Sequence, residues 1–130
     1  MPDIVIQGLR WNENQPEKND YQDKRIESLE NAMTKAILGI PELELTPDDI
    51  SFYFPWDPSV TSEDIPIIIK IQLLFDKPKR TPKIRQLLTD RIEEAFSKTI
   101  RQWRKLTKIE VALDLPYKPQ SGFCSKTYDK

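Results

Sequence analysis

The segment Ile65 to Phe75, IPIIIKIQLLF, alternates with a period of two. Ile67, Ile69, Ile71, Leu73 and Phe75 share one face, and Ile68, Lys70, Gln72 and Leu74 make a mixed opposite face. A strand this apolar on one side must be covered, and its mixed second side places it inside a sheet. The cover follows directly. Thr81 can cap a helix with Pro82 at its first position, and Ile84, Leu88, Ile92, Ala95, Phe96, Ile100 and Trp103 recur at helical spacing. Ile109, Val111, Leu113 and Leu115 then alternate with Glu110, Ala112 and Asp114, which reads as another strand.

The first half repeats this order. Asp3 to Leu9 is β-branched, with Ile4 and Ile6 on one face. After the polar loop at residues 12–20, Asp20 caps a helix whose apolar positions are Ile26, Leu29, Met33, Ile37 and Ile40, ended by Gly39 and Pro41. Ile50 to Phe54 forms a strand stopped by Pro55 and Pro58. The expectation is an α+β fold in one domain, residues 1–130. Two β-α-β units form a four-stranded sheet with both helices on one face, and residues 116–130 are a C-terminal extension. The other sheet face would carry Asp3, Val5, Gln7, Leu9, Ser51, Tyr53, Ile68, Lys70, Gln72, Leu74, Glu110, Ala112 and Asp114. That mixture fits burial against another subunit better than a solvated surface or a simple core. Two architectures share this order of elements, the ferredoxin-like sandwich and the tautomerase fold.

Composition limits the chemistry. The 130 residues contain 20 Lys and Arg, 21 Asp and Glu, one Cys and no His. Nucleophile–histidine pairs, His-bearing zinc sites and His proton shuttles are therefore excluded, leaving carboxylates, Lys, Tyr, Cys or a chain terminus for acid–base work. The formal charge of −1, with signs interleaved, supplies no field for phosphate backbones or anionic membranes, so neither nucleic acid nor membrane is expected as a partner. No Gly-rich phosphate loop or paired metal carboxylates appear, and no cofactor is expected. The start, MPDIVIQGLRW, has no positive region followed by an apolar core, so a cytoplasmic location is expected.

Met1-Pro2 runs straight into strand residues. Together with MPDIVIQGL, the following helix, ISFYF, IPIIIKIQLLF, TPKIRQLLTDRIEEAF and IEVALDLPY with SGF beyond it, this resembles the tautomerase superfamily, especially members similar to macrophage migration inhibitory factor. The resemblance covers nearly the whole chain as a plan of elements and rests at residue level on one proline. It implies a homotrimer whose sheets surround a central channel. It also implies that Pro2, freed by removal of Met1, is the general base in keto–enol tautomerisation of a small 2-keto acid, without a cofactor. An α-amine is less basic than a Lys ammonium, and an apolar pocket lowers its pKa further, so proton transfer near neutral pH is physically reasonable.

Carried over residue by residue, the helpers change. The family arginine ten positions after the proline falls on Asn12, with Arg10 as a substitute. A second arginine falls on Ser51. The tyrosine and asparagine of the inhibitory-factor branch fall on Glu110 and Ala112, and the loop GIPELELTPDD lacks that branch's lysine. Substrate-binding candidates are thus Arg10, Ser51 and Tyr53, with Pro2 as the catalytic candidate. Each has a plainer reading: Pro2 as the start of a strand, Tyr53 as an interface aromatic, Lys70 and Glu110 as an ion pair, and Cys124 as an incidental surface thiol. Trp11 and Trp56, at strand exits, read as interface residues. The loop WDPSVTSED can fold over a neighbour's pocket or merely connect strands. The alternative to a tautomerase is a non-catalytic tautomerase-like or ferredoxin-like oligomeric binding or scaffold module.

Overall fold

The computed structural model describes residues 2–12, 14–75, 77–114 and 122–128. Among these, five strands and two long helices follow in the order β1 (Asp3–Gln7), α1 (Asp23–Leu38), β2 (Ser51–Tyr53), β3 (Ile67–Gln72), α2 (Pro82–Ile100), β4 (Lys108–Leu113) and β5 (Phe123–Thr127). The strand order across the sheet is β2-β1-β3-β4-β5. β1 pairs in parallel with β2, Asp3 opposite Ser51, and β3 pairs in parallel with β4, Ile67 opposite Ile109. The two β-α-β units join antiparallel through their first strands, Val5 opposite Lys70. No strand separates the parallel partners of either unit. The sheet therefore differs from the split β-α-β order of a ferredoxin-like sandwich.

Both helices cover one face. Leu29, Met33 and Ile37 of α1, and Leu88, Ile92, Phe96 and Ile100 of α2, pack in one core with Ile4, Ile6, Ile69, Ile71, Ile109 and Val111. Full burial of such a side chain stabilises by roughly 1.5–3 kcal/mol, so this layer dominates the energetics. Thr81 caps α2 as expected, its Oγ1 accepting from Ile84 N at 3.3 Å with Pro82 beside it.

The sheet has five strands rather than four, because part of the extension pairs antiparallel with β4. Polar contacts hold this strand. Gln86 Nε2 donates to the Phe123 carbonyl at 2.8 Å and Gln86 Oε1 accepts from Phe123 N at 3.2 Å, so one side-chain amide mimics a length of neighbouring backbone. Cys124 is the buried residue of β5, so the strand carries almost no apolar alternation to read.

Three expectations fail for backbone reasons. Leu73 and Phe75 do not face the core. Leu73 adopts a left-handed φ of 59°, which breaks the alternation, turns Leu74 inward and leaves Leu73 and Phe75 exposed. Leu9 leaves the uncovered face for the core because Gly8, at φ 95°, turns the chain after β1. Asp20 does not cap α1. Gln22 occupies that position, and Asp20 is wholly buried beside Arg104.

Candidate functional site

The uncovered sheet face is built by the register. Across its middle runs a row contributed by all five strands: Tyr53, Val5, Lys70, Ala112 and Phe123. Tyr53 and Phe123, at the two edges, are 50% and 53% exposed, so the row has an aromatic at each end and small or cationic groups between. Lys70 is exposed and makes no ion pair among the described residues. The pair expected with Glu110 does not form, because Glu110 stands opposite Ile68 and binds Lys108 at 3.3 Å.

Pro2 is buried at the head of β1, and its carbonyl accepts from Ser51 N at 3.1 Å. Pro2 and Ser51 are therefore neighbours. Asp3, the next residue, sits on the uncovered face between Ser51 and Gln72, and its Oδ1 is buried without a hydrogen-bond partner among the described residues. A desolvated carboxylate oxygen in that state costs free energy until something donates to it. Because Gln72 pairs with Asp3, the exposed Leu73 and Phe75 lie at the same end of the sheet as Pro2. Tyr53 is two residues further along the strand, opposite Val5.

Arg10 is elsewhere. It lies beyond the opposite end of β1, which at 3.3–3.4 Å per residue spans about 17 Å from Pro2. The side chain is 9% exposed, with Nη2 donating to the Lys18 carbonyl and Nη1 3.5 Å from Glu63 Oε2. A single chain thus brings Pro2, Ser51 and the Tyr53 side of the sheet together, and does not bring Arg10 to them.

Other candidates resolve into structural roles. Cys124 is buried under α2, and its thiol is pushed up by desolvation and then by the charges of Glu93 and Asp90, so it is a poor nucleophile. Its neighbour Lys126 is committed to Glu93 at 2.5 Å. Trp11 contacts Tyr21 edge-on at 6.4 Å, while Trp56 stands 60% exposed. The loop after β2 is tied to its own chain: Trp11 N donates to Val60 O at 3.0 Å, and Arg104 Nη2 to Glu63 O at 3.0 Å.

One feature escaped the sequence reading. A groove of about 400 Å³ opens between the start of α1 and the exit of β2, lined by Tyr21, Asp23, Ile26, Glu27, Glu30 and Phe54. Its signal was the spacing of Asp23, Ile26, Glu27 and Glu30, which places them along one helical stripe. Among the described residues no group of His, Cys, Asp or Glu is arranged to hold a metal ion, and no helix is long and apolar enough to cross a membrane. No family model, curated protein or solved structure matches the chain.

Proposed function

We propose that this chain is a tautomerase-type protein that assembles through its uncovered sheet face, as a homotrimer, and uses the Pro2 amine to move a proton between carbon and oxygen of a small 2-keto acid. The observation that carries the reading is the position of Pro2. It heads an inner strand of two unsplit β-α-β units and is followed directly by Asp3, whose buried Oδ1, on the face that no helix covers, has no hydrogen-bond partner among the described residues. Loss of Met1 makes the proline nitrogen a secondary amine. An ordinary α-amine has a pKa of about 7.7–8.0; burial lowers it and a neighbouring carboxylate raises it, opposing pulls that suit a group passing a proton near neutral pH. Ser51 and Tyr53 hydroxyls supply hydrogen bonds to the substrate's carboxylate and developing enolate. Arg10 enters only from a neighbouring protomer, since within one chain the length of β1 lies between them. Asp3 Oδ1 and Lys70, without a hydrogen-bond or ion-pair partner respectively among the described residues, supply the polar centre of the subunit contact.

Intact mass of untagged protein followed by a phenylpyruvate or hydroxyphenylpyruvate tautomerisation assay tests the chemistry. The expected result is a protein lacking Met1 whose rate falls about 100-fold or more in Pro2→Ala, the scale of a lost general base. An unchanged rate in that variant overturns the catalytic reading, and a monomer by light scattering at micromolar concentration overturns the assembly. A second reading, the non-catalytic oligomeric module, is favoured by the engagement of Arg10 with Lys18 and Glu63. Retained Met1, which makes the Pro2 nitrogen an amide, selects it.

A further inference from the structure

The groove on α1 has an apolar floor and an acidic rim. Ile26 and Phe54 are half-buried, while Asp23 and Glu27 are exposed and Glu30 partly so. These three carboxylates lie three and four residues apart on one helix face and form no ion pair among the described residues, so each adjacent pair repels and weakens the helix. The helix dipole compensates only near the first turn, at Asp23. A stripe of this kind is relieved by a cation brought from outside the helix.

The complementary surface occurs at the other end of the same molecule. After β3 the chain presents Phe75, 64% exposed, followed by exposed Lys79 in the connection and exposed Lys83 in the first turn of α2. Neither lysine makes an ion pair among the described residues. The segment is held up by its own backbone: Leu73 sits at φ 59°, and the buried Arg80 donates to Phe75 O at 2.7 Å and to Leu43 O. Phe75 is thus fixed outward at the end of the sheet where β1 begins, whereas the groove lies where β1 and β2 end.

We propose that Phe75, Lys79 and Lys83 of one copy dock in the α1 groove of another, Phe75 entering over Ile26 and Phe54 while Lys79 and Lys83 meet Glu27 and Glu30. The two surfaces are different patches at opposite ends of the chain, so the contact is heterologous and propagates head to tail instead of closing as a two-fold dimer. It uses neither the uncovered sheet face nor Pro2, and stands independently of the catalytic reading.

Sedimentation velocity on the full chain over a concentration series, at about 0.05 M and about 0.5 M salt, reads the contact through its screening. The wild type is expected to form concentration-dependent species that weaken about tenfold in the higher salt. Lys79→Glu with Lys83→Glu, and separately Glu27→Lys with Glu30→Lys, should each abolish them. Phe75→Ser, which changes no charge, should weaken them about tenfold, as loss of a buried aromatic anchor does. All these positions are at least partly exposed, and an unchanged denaturation midpoint confirms that the variants fold. Mixing the lysine variant with the glutamate variant sets a native loop against a native groove and an acidic loop against a basic groove, so return of the concentration-dependent species that each variant alone has lost is the decisive expected result. Absence of association in the wild type, as when the groove serves a cationic peptide of another protein, overturns the proposal. So does association indifferent to both charge variants, or a mixture in which association does not return. A closed sheet-face trimer persists in every variant and is thereby told apart.

Discussion

Arg104 Nη1 lies 2.6 Å from Asp20 Oδ2, with both side chains fully withdrawn from solvent. Asp20 also accepts from Arg10 N at 2.6 Å and from Trp103 Nε1 at 3.2 Å, while Arg104 donates onward to Glu63 O. One carboxylate therefore ties the loop after β1 to the turn after α2 and, through Arg104, to the loop before β3. Removing one partner strands a buried charge, whereas removing both does not. Asp20→Ala is expected to destabilise the protein by about 3–5 kcal/mol in chemical denaturation, and Asp20→Leu combined with Arg104→Met by clearly less than the sum of the single changes. Additive losses would show that the pair is not a coupled unit.

Glu93 holds the C-terminal strand from below. Burial alone would raise its carboxyl pKa, but contact with Lys126 and hydrogen bonds donated by the hydroxyls of Ser97 and Tyr128 outweigh this and hold it below the ordinary carboxylate range. A depressed folded value means that the stabilisation is complete above the unfolded value, about 4.3, and is lost as pH falls through the folded one. Lys126, raised chiefly by its contact with Glu93, keeps its contribution at neutral pH and loses it only as pH rises through that raised value. Thermal melts across acid pH should therefore show a steep loss in the wild type and a shallower one in Glu93→Gln. Identical acid limbs would rule the contribution out.

The amide clamp of Gln86 on Phe123 predicts local loosening. Gln86→Ala leaves the Phe123 backbone groups without this partner and should cost about 1–2 kcal/mol. The effect should be concentrated in β5: amide hydrogen exchange of Phe123–Thr127 quickens while β1 and β3 keep their protection. Uniform quickening through the sheet would show that β5 is part of the global unfolding unit.

Gly8 is the position least tolerant of a methyl group. Its φ is 95°, and a Cβ there would lie 2.3 Å from the Pro66 carbonyl oxygen, which is backbone and cannot turn aside. Gly8→Ala is expected to destabilise by about 2 kcal/mol or more, read as a lowered denaturation midpoint. Gly39, at an ordinary helical φ of −72°, should accept alanine with little change.

The sequence by itself determined the two β-α-β units, the cores of both helices, the Thr81 cap and the sides to which Ile4, Ile6, Ile69, Ile71, Ile109 and Val111 point. Those features follow from local periodicity, and periodicity is a property of neighbouring residues. The tertiary structure decided what depends on distant partners. β5 is built from Gln86 and Glu93 of another element, so its own FCSKT pattern could not announce it. Arg10 was readable as a substrate cation only while the strand was imagined to continue. Gly8 ends that continuation, and Lys18 and Glu63 then take the guanidinium. Leu73 followed the strand pattern in sequence and left it in space, because a single left-handed residue reverses the parity of everything after it. The uncovered face, finally, was legible as a mixture of polar and apolar positions. Its ordering into the row from Tyr53 through Lys70 to Phe123 required the inter-strand register, which long-range hydrogen bonding sets.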